Sequence, residues 1–558
     1  MKIPEKPQER ADFVEDVVGR CLASREERVA SYRTLKQYYM YGRETSASMS
    51  ENSFGTVNKI YSHIDQVVSF LYSQDTTRFS VEIGKSVSEM ELLKLPALNE
   101  AINDVWHSSN TDIRFGDALT WSLVYSSMFL KPRWHVDRII PDVVEPHNIG
   151  VWREDINGME NQEAIVHCYL IPKSQLEYEL KVANFKDWQR VLDEAVEAYE
   201  SPETSVSQPI DNITTSSAFP QVQGEGNISA GPRMTYTPKY AGPMVKMNEL
   251  YVYDDQLEDY RVFTIANPFV SIYDRPMDRI FLPNEQPLRQ ICPYPLHDYF
   301  WGISLVERLI PLQAMRNERW DQVQHMMEMQ ARPSSVVMGE TIGAVDEFQD
   351  ALDSPGGLGQ IGQGSKVDKQ QVVVPDDLFA EITYLDSQFD EIDGTTPVMS
   401  GKGEQGVRSE GHASQLLRAG SSRAKRRALV VEDSLEEVAT LYMRILQKYS
   451  DAEYRGEPEE PGIPGAIFIP KQFTENFVVK VDAHSNSPLF MQDQTQMIFA
   501  MFKAKMIDRD TAIEMLPIPM KDLLRYRLKH RIEPAEAKAA SEQRKLELVT
   551  GKLSSAKK

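Results

Sequence analysis

The chain has 558 residues, 41% hydrophobic and 26% charged, a composition with room for several ordinary domains. Lys+Arg 61 against Asp+Glu 83 leaves a net charge of −22, which excludes a protein that grips nucleic acid over its whole surface. Its three cysteines (Cys21, Cys168, Cys292) lie far apart, so a disulfide framework is excluded and a reducing cytoplasm is expected. No apolar run approaches the roughly 20 residues of a membrane span, and Met1–Glu9 is too polar for a signal peptide.

In chain order, residues 8–42 read as one helix with Phe13, Val17, Cys21, Val29, Tyr32, Leu35 and Tyr39 on its apolar side. A polar loop (43–55) leads to a helix over 57–73 carrying Ile60, Ile64, Val67, Val68 and Leu71. Helices are expected over 90–108 and 112–128, then a strand-like run 129–140, with further strand candidates at 141–153 and 164–171. Residues 201–242 are rich in Ser, Thr, Pro, Gly and Gln, without apolar periodicity, and read as a long mobile insertion. Strands resume at 247–253, 259–265 and 269–273.

The stretch 299–332 organises the second half of the chain. Gly302 allows a sharp turn, Ser304 can cap the next helix, and Pro311 is expected to restart that helix in a new direction. The second piece carries Trp320, Val323 and Met327 at helical spacing, a narrow seam suited to packing against copies of itself. Leu378, Ile382, Leu385, Phe389 and Ile392 form a second helical stripe, and between the two helices lies a Gly-rich, β-prone segment, 333–375. A Gly-rich loop (395–408) precedes a long helix, 409–449, with a heptad-like stripe from Ala424 to Tyr449. A linker rich in Pro and Gly (456–470), a strand (476–482), helices at 488–504, 509–516 and 520–531, and a charged tail complete the chain. The fold class expected is α+β, mostly helical.

Catalytic signatures are missing. The ten histidines form no HExxH, there is no GxSxG, and Gly359–Lys366 lacks the Gly-Lys-Ser/Thr order of a P-loop. Gly401–Gly406 matches GxGxxG, but no βαβ unit surrounds it. A protein that is not an enzyme, with no cofactor and no metal, is expected. The charge pattern says more. Residues 371–400 contain Asp376, Asp377, Glu381, Asp386, Asp390, Glu391 and Asp393 and no base, whereas 401–427 contain Lys402, Arg408, Arg418, Arg423, Lys425, Arg426 and Arg427 against two acids. These are either solvated faces of opposite sign, or acids lining a channel through which DNA slides with a few bases touching it at a constriction.

Phe300-Trp301-Gly302-Ile303-Ser304-Leu305 with Glu307, the Gln/Asn-containing helix after it, the Val57–Ile60 stretch, Leu119–Tyr125 before Phe129–Trp134, and the order of later segments resemble the bacteriophage portal proteins. These are the head–tail connectors of tailed phages. The resemblance implies a wing over 1–302, stem helices over 303–332 and 376–395, and a clip over 333–375. A tunnel loop, long helix and wing return would follow over 396–484, then a crown and C-terminal tail over 485–558.

The resemblance further implies a ring of roughly twelve copies at one capsid vertex of the virion, assembled in the host cytoplasm. Double-stranded DNA would run in its channel. Its partners would be the terminase large subunit, tail adaptor proteins, scaffold and major capsid protein, with no membrane. It favours the channel reading, with Lys402 and Arg408 in the tunnel loop as DNA contacts. Glu381, Asp386, Asp390 and Asp393 become channel-lining acids, Trp320, Val323, Met327, Ile382, Leu385 and Phe389 stem-packing residues, and Ile342 and Phe348 motor-docking residues. A DNA-processing enzyme with an acidic metal site is the alternative from another class, and a monomeric helical scaffold is a third reading.

Overall fold

The computed structural model describes residues 1–43, 56–72, 77–83, 95–135, 137–182, 185–200, 244–266, 270–277, 285–331, 335–338, 366–369, 373–393, 422–455, 467–472, 477–481, 488–509 and 512–513. In chain order these carry α1 (Pro7–Cys21), α2 (Arg25–Tyr41), α3 (Lys59–Leu71), β1 (Phe79–Ile83), α4 (Leu95–Ser108), α5 (Thr111–Tyr125), β2 (Met128–His135), β3 (Arg138–Val144), β4 (Ile149–Val151) and β5 (Ala164–Pro172). Then come α6 (Lys173–Val182), α7 (Trp188–Glu200), β6 (Met244–Asp254), β7 (Asp259–Ala266), β8 (Val270–Pro276), β9 (Arg289–Ile291) and α8 (Leu305–Ala331). The remainder are β10 (Ser335–Met338), β11 (Lys366–Lys369), α9 (Asp376–Asp393), α10 (Ser422–Tyr449), β12 (Tyr454–Arg455), β13 (Ile467–Phe468), β14 (Phe477–Val481) and α11 (Pro488–Lys503).

The helix expected over 8–42 is two helices, broken at residues 22–24. The break serves two cores. Val14, Val17, Val18 and Cys21 of α1, with Leu22, pack on the five-stranded antiparallel sheet β4-β5-β6-β7-β8, against Val166, Leu250 and Phe263. Tyr32, Leu35 and Tyr39 of α2 instead join the main helical core with α3, α4, α5, α10 and the start of α8. Gly150 lies under the break, where an added Cβ would come 2.7 Å from the Cys21 carbonyl oxygen.

Alternation along β6 divides the sheet's two faces. Leu250 and Val252 face α1, while Tyr251 packs with Phe129, Val144, Phe300 and Trp301 on the opposite side. The strand-like run 129–140 is a hairpin: β2 pairs β3 with His135 opposite Arg138, and β9 pairs the other edge of β2. Helices α6 and α7, which the sequence expectation does not include, cover one end of the sheet through Leu176, Leu180, Val191 and Leu192.

Pro311 does not redirect the helix that contains it. α8 runs unbroken from Leu305 to Ala331 with the proline inside. Pro311 and Glu307, whose carbonyl loses its helical N–H partner, are both exposed, so water can satisfy that oxygen. Leu305, Val306 and Leu309 are buried on the other face and hold the helix in the main core. β14 returns to pair β1 with Phe79 opposite Val481, so segments some four hundred residues apart share one sheet. The insertion 201–242, the loop 396–408, the first turns of the helix expected from 409, and the helix expected over 520–531 lie outside the described residues.

Candidate assembly and channel surface

The turn before α8 joins both cores. Gly302 has φ +71°, and an added Cβ would meet Cys292 Sγ and come 2.7 Å from Tyr294 O. The Phe300 carbonyl accepts from Gln290 Nε2 at 3.0 Å and the Trp301 carbonyl from Ser127 Oγ at 2.6 Å. Trp301 Nε1 donates to Glu154 Oε1 at 2.9 Å, which also receives Ser24 Oγ at 2.6 Å, while the Arg28 guanidinium stacks 3.9 Å from the Trp301 ring centre. Ser304 caps as expected: its Oγ accepts from Glu307 N–H at 3.4 Å and donates to the Val124 carbonyl at 2.6 Å.

Two to three turns into α8, Gln313 links two stretches that only the family resemblance had associated. Its Oε1 accepts from the Lys59 N–H at 3.0 Å, and its Nε2 donates to Val57 O at 3.1 Å and Asn317 Oδ1 at 2.8 Å. Asn317 in turn donates to Gly42 O at 2.7 Å. Asn58 caps α3 by accepting the Tyr61 N–H at 3.2 Å. The Gln/Asn helix and the Val57–Ile60 stretch are therefore one hydrogen-bonded unit.

α8 and α9 pack against each other in one chain. Arg316 Nε meets Asp386 Oδ1 at 2.6 Å and Arg319 Nε meets Glu381 Oε1 at 2.9 Å, so residue numbers rise on one helix as they fall on the other and the pair is antiparallel. Lys59 Nζ adds a second cation to Asp386 at 3.1 Å. Of the expected stem residues, Ile382, Leu385, Phe389 and Val323 are buried within the chain, Phe389 lying edge-on to His63. Trp320 is half-buried and Met327 is 41% exposed.

The seam of α9 thus needs no second copy to cover it, because α3 and α8 already do. Two of the four expected channel acids, Glu381 and Asp386, turn toward arginines of α8, and Asp390 is half-buried. Nothing is described of the Asp393 side chain, and Lys402, Arg408, Ile342 and Phe348 lie outside the described residues.

Helical periodicity does not reveal the large apolar residues left exposed on the same pair. Met315, Met327 and Met329 on α8 and Val373, Phe379 and Tyr384 beside or on α9 are exposed, Tyr384 by 62% and Val373 by 73%. Phe379 and Tyr384 fall between the residues of the Leu378–Ile392 stripe, and that offset is the signal the sequence carries for them. Among the described residues no helix is long and apolar enough to cross a membrane, and no group of three His, Cys, Asp or Glu is placed to hold a metal ion.

A buried titratable cluster sits where the two sheets meet. Lys131 of β2 is ion-paired with Glu249 of β6, and His167 of β5 lies beside them, packed on Tyr169. Burial, with Lys131 adding to it, pushes His167 down to about 3. The folded protein keeps this ring neutral where the unfolded chain protonates it near pH 6.5, so its contribution is complete above that pH and lost as pH falls toward 3. His167→Gln is expected to narrow the stability gap between pH 7 and pH 5 by about 2 kcal/mol, read from denaturant unfolding of parent and variant. An equal gap in both would show that His167 does not titrate on unfolding.

No protein-family model matches the sequence, and no curated protein matches it. Solved structures do. The neck of an empty gene transfer agent (GTA) particle, computed with C6 symmetry, is similar over 86% of this chain and 95% of that one, at 9% identity and a TM-score of 0.40. The virion of a native gene transfer agent particle matches over the same shares at 9% identity and a TM-score of 0.37. A likeness this weak assigns no partner or activity to this chain.

Proposed function

We propose that the chain is the subunit of a portal ring, the channel at one capsid vertex through which double-stranded DNA is packaged and ejected. The ring is also the platform on which a terminase motor and then tail adaptors dock. The observation that carries this reading is the antiparallel α8–α9 pair. It is tied internally by two ion pairs, yet leaves Met315, Met327, Met329, Phe379 and Tyr384 exposed. Several large apolar side chains left in solvent on one helix pair are available for burial against a neighbouring copy. Such side chains, repeated on each copy and meeting a different face of the next, close into a ring when the rotation allows.

The segment 333–375 between the two helices, in which β10 pairs antiparallel with β11, is the candidate motor-docking tip, and Lys402 and Arg408 remain the proposed DNA contacts. Nothing in this role requires catalysis, and ATP hydrolysis would belong to the motor. Native mass spectrometry and negative-stain images of the purified full-length protein test the reading. Closed rings of roughly twelve copies are expected. A protein that stays monomeric across concentration would overturn it.

A further inference from the structure

We draw no further inference here: the strongest candidate, the cavity of about 920 Å³ that Trp121, Lys131 and His167 line between α5, the β2–β3 hairpin, β5 and α6, has both acids and bases on its walls, and nothing in the structure shows what covers it.

Discussion

Gly302→Ala is expected to cost about 3–5 kcal/mol of unfolding free energy, combining left-handed backbone strain with overpacking. The residue sits at φ +71°, where a side chain is strained, and the new methyl would press on the Tyr294 carbonyl from 2.7 Å. That carbonyl cannot yield easily, since it accepts the Ile303 N–H at 3.1 Å and so closes the turn. The neighbouring Phe300 and Trp301 are fully buried and join the sheet to the hairpin, so a shift of the turn is felt in two cores. Urea unfolding followed by tryptophan fluorescence reads the loss. Gly19→Ala is the control: nothing lies within 4 Å of its added Cβ, and it sits inside α1, so a gain of up to about 1 kcal/mol is expected. Equal midpoints for Gly302→Ala and the parent would show that the turn is not the joint described.

The same turn shows what the sequence revealed and what it withheld. Gly302 and Ser304 were legible because a left-handed turn and a helix cap each require particular residue types locally. The Ile60/Ile64/Val67 and Ile382/Leu385/Phe389 stripes were legible because burial on one helix face imprints a period. Pro311 misled because a proline's local penalty depends on whether water reaches the orphaned carbonyl, a tertiary fact. The break after Cys21 was hidden for a related reason. Both halves have apolar periodicity, and only their separate destinations, sheet and helical core, show that they cannot be one helix. The ion pairs of Asp386 and Glu381 are not legible in the sequence, because their partners, Arg316 and Arg319, lie 70 and 62 residues earlier in the chain.

Replacing Phe379 and Tyr384 together by Ser is expected to lower the ring fraction at least tenfold while leaving the melting temperature of the subunit unchanged. Phe379 is 40% and Tyr384 62% exposed, so neither supports the chain's own core. Exposed positions of this kind alter folding stability little, whereas aromatic anchors of an interface commonly contribute about 2 kcal/mol or more each. A loss of about 1.4 kcal/mol at one contact already corresponds to tenfold in its equilibrium constant. Phe389→Ala is the necessary contrast. At 3% exposure, packed in the main core and against His63, Phe389 should cost about 3–5 kcal/mol of folding stability whatever its effect on assembly. The two variants therefore separate a helix pair that only folds from one that also assembles. Intact rings from Phe379→Ser/Tyr384→Ser would place the contact between copies elsewhere and leave these two side chains without a role in ring closure.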